Sequence, residues 1–450
     1  MALHDVNSFS LLFILLPALT LFLVSNQSHA VTTSPSSPKG IVLQVTKDPA
    51  TLQYTTLVQQ RTPLVPIKLT VDLGEGSLWV SCEDGYKSST FKNVRCRSAH
   101  CALARSIGCG NRCAYSSNHL PNCTKNACLT LAINPFSGNL NADGEAVEDV
   151  LLLQSTSGQV VSAPHFVFNC VPSHFTFGLA SGVKGVAGLG STLAALPTQL
   201  AQTFSFRRKF LICLSSSTRA NAGVVVFGDS GRFPTHKKNN NTSDRIYKSL
   251  IYTPLLKNPM GKDSKGRESS EYYVGLTSIK VNGNDVPFNT KLLSFDYEGG
   301  GGTKISTAHP YTVLERSIYQ AVLMAFNHEI PLNVTRLNTP IEPFGACFRG
   351  ITPNLVPPID FVFQNQKTVW RISGNNLMAR IDKDVICLAI VELPSLKSDT
   401  TEYEFERKSA VTIGAHQIEE HLLVFDLPNS MVGFSPSLLY RKTTCSSFKV

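Results

Sequence analysis

Short stretches in which apolar and polar residues alternate, separated by glycine and other turn formers, dominate the chain. Ile41-Val42-Leu43-Gln44-Val45-Thr46-Lys47-Asp48 alternates in this way and predicts an opening strand. Residues 52–57 and 65–71 predict two more, and Leu78-Trp79-Val80 begins a fourth after the tight Gly74-Glu75-Gly76 turn. Further strands are expected at 146–153, 160–168, 207–214 and 223–228, then at 272–276, 279–281, 370–372 and 385–390. Helical spacing is confined to 196–204, where Pro197 suits a first turn, and to 311–329. Residues 86–128 are polar and dense in cysteine, which predicts an insertion held by disulfides rather than by apolar burial. Many short strands between glycine turns predict an all-β molecule.

The pattern also repeats. Gly185-Val186-Ala187-Gly188-Leu189-Gly190 has a counterpart in Val411-Thr412-Ile413-Gly414, followed by Leu422-Leu423-Val424-Phe425-Asp426 and Val432-Gly433-Phe434. Glycine in such a strand marks a close approach of two backbones. Asp72 precedes Gly188 by 116 residues, and Ser306 precedes Gly414 by 108, a match that argues for an internal duplication. The expected architecture is therefore bilobal, with a first lobe over 31–230 and a second over 246–450. Residues 231–245, with Pro234, Lys237-Lys238, an asparagine run and Ser243, form the expected linker.

Composition narrows the compartment. An apolar run from Leu11 to Val24, interrupted by Pro17 and Thr20, is followed by Ser28-His29-Ala30, so residues 1–30 read as a secretory signal peptide. The run is shorter than the roughly 20 apolar residues of a membrane span, so no membrane partner is expected and the product should be extracellular, in the apoplast or cell wall. Hydrophobic residues at 42% and charged ones at 16% describe a globular chain. A formal charge of +9 favours acidic cell-wall polymers as partners. No basic run is longer than Arg207-Arg208-Lys209, which argues against nucleic acid. The 12 cysteines lack a repeated Cys-x2-Cys pair, so disulfides are expected, with no metal and no cofactor. Glycosylation sequons fall at Asn122, Asn240, Asn241 and Asn333.

The candidate chemistry lies at Val71-Asp72-Leu73-Gly74 and at Gly301-Gly302-Thr303-Lys304-Ile305-Ser306-Thr307-Ala308-His309. The first resembles the leading active-site loop of the pepsin-like aspartic proteases, Asp-Thr-Gly ahead of a buried Trp-Val. The second resembles their partner loop, with Ser306 where the second aspartate is expected. Such proteases need two carboxylates sharing one proton, and a serine hydroxyl supplies neither acid nor base in that range. Asp72 and Ser306 are thus expected to be vestigial. Residues 134–149, where the flap over the cleft is expected, also lack the flap tyrosine.

With Pro343-Phe344-Gly345-Ala346-Cys347-Phe348 and Thr412-Ile413-Gly414-Ala415-His416-Gln417, the whole mature chain resembles a plant family of pepsin-fold proteins. It comprises extracellular dermal glycoproteins, basic 7S globulins, and xylanase and xyloglucan-endoglucanase inhibitors. The resemblance implies the pairs Cys82–Cys170, Cys96–Cys109, Cys101–Cys128, Cys113–Cys123, Cys213–Cys445 and Cys347–Cys387. It also implies a non-enzymatic function: blocking microbial glycoside hydrolases by pushing loops into their clefts, where a guanidinium can pair with a catalytic carboxylate. Arg336, after Asn333-Val334-Thr335, matches one inhibitory arginine. The second comes from the loop that here spans 392–408, which offers Lys397, Arg407 and Lys408. His416 takes the family's strand-histidine position, with a structural role. The alternative within the family is a storage-like or peptide-binding globulin without inhibitory activity.

Overall fold

A computed structural model describes residues 37–82, 85–110, 125–137, 140–218, 223–228, 245–259, 268–339, 341–365, 367–394 and 409–447. The expected signal peptide and most of the expected linker lie outside these residues. The described chain is built from strands, arranged in one 20-stranded sheet system and two four-stranded sheets.

Each half contains the same crossing of three strands. In the first, Val65–Asp72 runs parallel to Gly185–Gly188, which is antiparallel to Leu78–Ser81. The Gly185–Gly188 strand therefore lies between the two strands that flank the Asp72 turn. In the second, Thr303–Ile305 runs parallel to Val411–Ile413, which is antiparallel to Thr312–Leu314. Glycine is required where these crossings are tightest. A Cβ on Gly188 would lie 2.2 Å from the Ser77 carbonyl oxygen, and one on Gly414 would lie 2.3 Å from that of Tyr311.

A single row of antiparallel strands unites the halves: Gly40–Lys47, Gly223–Gly228, Lys209–Leu214, Leu422–Asp426, Met431–Phe434 and Ile251–Leu256. Its middle pair joins one half to the other, and there Phe210 stacks on Phe425 with ring centroids 4.7 Å apart. Disulfides join Cys82 to Cys170, Cys96 to Cys109, Cys101 to Cys128, Cys213 to Cys445 and Cys347 to Cys387. Cys113 and Cys123 lie outside the described residues.

The helix Leu196–Phe204 forms where its spacing places it. The second helix starts later than its apolar spacing suggests, as Arg316–Glu329. Thr312–Leu314 is instead drawn into a strand, parallel to Ile390–Glu392 on one side and antiparallel to Val411–Ile413 on the other. Long-range pairing overrides the local pattern there, aided by β-branched Thr312 and Val313.

Candidate functional site

Asp72 ends its strand opposite Gly188 and is only 2% exposed. Its Oδ2 accepts the backbone N–H of Gly74 at 3.0 Å and of Glu75 at 2.6 Å. Burial pushes its carboxyl up to about 6, against the pull of the Glu75 N–H and the Thr307 hydroxyl. Glu75, buried three residues further along the turn and close to the Asp72 charge, is pushed up to about 8 by burial and that charge. Its Oε1 accepts the backbone N–H of Ser77 at 3.1 Å.

The two loops meet through Thr307. Its Oγ1 accepts the Leu73 N–H at 2.9 Å and lies 3.2 Å from Asp72 Oδ1 and 3.3 Å from the Val71 carbonyl, the acceptors for its own proton. Leu73, being apolar, returns no side-chain bond to the second loop. Ser306 follows the Ile305–Ile413 pair, and its N–H donates to the Ile413 carbonyl at 2.9 Å, which sets it level with Gly414. Its Oγ accepts the Ala308 N–H at 3.1 Å and lies 3.2 Å from His309 Nδ1. Burial, helped by the Lys304 charge, pushes the His309 imidazole down to about 4, so the ring is neutral near pH 7.

An ion pair that no sequence pattern indicates lies beside this site. Lys304 Nζ is 2.6 Å from Glu271 Oε1, and the Tyr273 hydroxyl donates to Glu271 Oε2 at 2.7 Å. Despite burial, the Lys304 charge and these hydrogen bonds hold the Glu271 carboxyl below its ordinary value. The Ala127–Asn134 and Leu140–Ser155 strands pair antiparallel, and Trp79 Nε1 donates to the Ile133 carbonyl at 3.1 Å.

A second group of residues gathers around Tyr319 of the Arg316–Glu329 helix. Arg336 is exposed in the two-residue strand Thr335–Arg336, opposite Phe348. Its Nη2 donates to the Gly345 carbonyl at 3.4 Å. Gly345 is pressed onto the helix, since a Cβ there would lie 2.1 Å from the Tyr319 hydroxyl oxygen. Burial raises the Tyr319 phenol, the Glu392 charge raises it further, and the Gly345 N–H and Arg336 oppose them. Arg336 and the first residue of the 392–408 loop thus converge on one tyrosine. Asn333 is exposed three residues before Arg336.

Lys397, Arg407, Lys408, Asn122, Asn240 and Asn241 lie outside the described residues. His416 is largely buried, with 14% of its side chain exposed. Its Nδ1 is 3.6 Å from Glu419 Oε2, its ring packs edge-on to Tyr311, and burial lowers its basicity. Among the described residues no group of side chains is arranged to hold a metal ion, and no helix is long and apolar enough to cross a membrane.

The family profile described as "Xylanase inhibitor N-terminal" matches residues 54–229, and "Xylanase inhibitor C-terminal" matches 271–436. The chain is 44% identical over 441 residues to "Probable aspartic proteinase GIP2" of Nicotiana benthamiana, covering 95% of each. It is 34% identical over 417 residues to "Basic 7S globulin" of Glycine max, covering 90% of this chain and 91% of that one. Among solved structures, that of "edgp" superposes with a TM-score of 0.82 at 43% identity, over 92% of this chain and 98% of that one. The fold is accordingly all-β, bilobal, disulfide-rich and pepsin-like.

Proposed function

The chain belongs to the plant family of xylanase-inhibitor and basic 7S globulin proteins, and we propose that it is a secreted, non-proteolytic member that inhibits microbial cell-wall glycoside hydrolases. The targets are xyloglucan endoglucanases or xylanases, and loops of the second lobe enter their active-site clefts. Ser306 stands in for the second carboxylate of a protease. Its register with Gly414, matching that of Asp72 with Gly188, supports this assignment. The carboxylates whose charges reach Asp72 are Glu75 of its own turn and Glu271, which is paired with Lys304, so neither takes the position of Ser306, whose hydroxyl cannot share the roles of acid and base with Asp72. This answers the protease reading that one relative's name invites.

The observation that carries the inhibitor reading is Arg336. Its guanidinium is exposed, anchored by a backbone carbonyl, and has no carboxylate partner among the described residues. It can therefore turn its free N–H groups to a carboxylate of a hydrolase cleft without first breaking an ion pair. The five disulfides among the described residues suit an oxidising compartment. The exposed Asn333 suits glycosylation, and the lobes divide at the 231–245 linker. The basic charge further suits retention on acidic wall polymers.

The test is titration of the purified mature protein into a microbial xyloglucan-specific endoglucanase and, separately, into a fungal xylanase. Stoichiometric loss of one activity is expected, weakened by at least about tenfold in Arg336→Ala. No loss of either activity at a large excess of protein would reject this reading. The second family reading, a storage or peptide-binding globulin, would then stand, and the relatives named as globulins favour it.

A further inference from the structure

Ahead of the strand Thr303–Ile305 the chain doubles back at Asp296-Tyr297-Glu298-Gly299. The Gly299 N–H donates to the Asp296 carbonyl at 3.1 Å, and the Asp296 N–H to the Gly300 carbonyl at 2.9 Å. Tyr297 and Glu298 therefore take the two central positions of a tight turn. Asp296 Oδ1 holds that turn by accepting the Glu298 and Gly300 N–H groups, each at 2.8 Å. Gly299 follows at φ +83°, a conformation that suits glycine. The base of the turn is anchored. Phe295 packs edge-on against Tyr273 with ring centroids 5.1 Å apart, and Asn258 Nδ2 donates to the Gly299 carbonyl at 2.7 Å. The tip is open, and Tyr297 is 84% exposed.

A tyrosine so placed buries little of its ring and adds little to the fold. Its phenol faces carboxylates instead. The Glu298 charge and a hydrogen bond to that carboxylate raise the phenol above its ordinary value, and the Asp296 charge adds to them. Two other tyrosines are exposed among the described residues, Tyr252 at 39% and Tyr440 at 66%. Tyr252 stands between Ile251 and Thr253, and Tyr440 between Leu439 and Arg441. Of the three, Tyr297 alone has an acid on both sides. An enzyme that transfers sulfuryl groups must hold a polyanionic nucleotide phosphosulfate. Its site is therefore basic, and acidic residues beside the acceptor tyrosine complement it.

We propose that Tyr297 is a tyrosine-sulfation site, modified on its phenolic oxygen during secretion by a sulfotransferase that recognises the flanking Asp296 and Glu298 carboxylates. The phenolic oxygen attacks the sulfur of a nucleotide phosphosulfate, a mixed phosphate–sulfate anhydride. The S–O bond to the phosphate breaks, and the nucleotide phosphate leaves with the bonding pair. The phenolic proton passes to a base of the transferase, and nothing is oxidised or reduced. The product is an aryl sulfate ester, ionised at any pH the protein meets. It joins the two carboxylates at the turn and gives a chain of formal charge +9 one strongly acidic point. This assignment rests on the secreted reading above and not on the inhibitor reading.

The test expresses the full chain in plant cells supplied with radiolabelled sulfate, purifies it from the culture medium and locates the label by peptide mass spectrometry. One sulfate is expected on the peptide that carries Tyr297, removed by an arylsulfatase and untouched by a phosphatase. Tyr297→Phe should lose it, and the peptides of Tyr252 and Tyr440 should stay unlabelled. Asp296→Asn and Glu298→Gln should each lower the sulfated fraction severalfold. The asparagine keeps an oxygen for the Glu298 and Gly300 N–H groups, so its effect reports the lost charge rather than a lost turn. A secreted protein with Tyr297 unmodified would overturn this site alone. So would a phosphatase-sensitive group there, or label confined to Tyr403, which stands between Glu402 and Glu404 outside the described residues. A chain recovered only from the cytosol, with Tyr297 bare, would remove the secreted reading and this site together.

Discussion

Two carboxyls buried in one turn make the loop at Asp72 an acid-stabilised element. Asp72 is raised to about 6 and Glu75 to about 8 in the folded chain, whereas both return to roughly 4 when unfolded. The folded state therefore holds extra protons between those limits. The resulting stability is complete below about pH 4 and is lost as pH rises through the folded values. His309 and His421 act in the opposite sense. Burial pushes both down to about 4, so their contribution is complete above the ordinary histidine value and is lost as pH falls through that window. From about pH 5 to 6.5 the two effects oppose each other, and above 6.5 Glu75 is left alone. Stability measured by urea unfolding is thus expected to be nearly level in the first interval. It should then fall by about 1 kcal/mol up to pH 8. Glu75→Gln should abolish that fall. A stability that instead climbs steadily from pH 6.5 to 8 would show that Glu75 is ionised throughout.

At the scale of elements, the Arg316–Glu329 helix separates what the sequence discloses from what it does not. Glu315 caps it, its carboxylate accepting the Ser317 N–H at 2.8 Å and the Ile318 N–H at 3.3 Å. Glu315→Ala should cost about 1 kcal/mol in urea unfolding while Glu315→Asp costs less, and an alanine variant as stable as the wild type would mean that the cap contributes nothing. The helix was legible from apolar spacing, but its start was not, because Thr312–Leu314 is claimed by strands that lie 78 and 99 residues downstream in register, at Ile390 and, from Val313, at Thr412. The paired crossings around Asp72 and Ser306 were legible because their glycines and apolar strands recur in the chain itself. Thr307 gripping Asp72 and Leu73, the Lys304–Glu271 pair, and the meeting of Arg336 with Glu392 at Tyr319 leave no local pattern. Each joins residues distant in the chain that meet only once the strands have packed, within the second half or, for Thr307, between the halves, so the site's loops could be found in sequence while its wiring could not.

For the whole molecule, the question is whether two similar halves behave as one. Besides the Thr307 contact between the two loops, the shared row of strands, a buried polar network and a disulfide bind them. In the network, Lys47 and Tyr54 of the first half both reach Glu419 Oε1 at 2.5 Å. Glu420 accepts the Ser216 N–H at 2.9 Å through one oxygen and the Cys445 N–H at 2.6 Å through the other. Cys445 is in turn bonded to Cys213, 232 residues earlier and in the strand that pairs with the opposite half. A loop that long gives the crosslink a large effect on the unfolded chain, about 5 kcal/mol on an entropy-only view. The Cys213→Ala, Cys445→Ala double variant should therefore lose much of its stability, roughly 3–5 kcal/mol. The strand row and the Glu419–Glu420 network remain, however, and both bury groups that neither half can satisfy alone. Calorimetry of that variant is expected to show one transition at a lowered midpoint, with its calorimetric and van't Hoff enthalpies still equal. Two resolved transitions would mean that the disulfide, rather than the shared sheet, makes the halves a single cooperative unit.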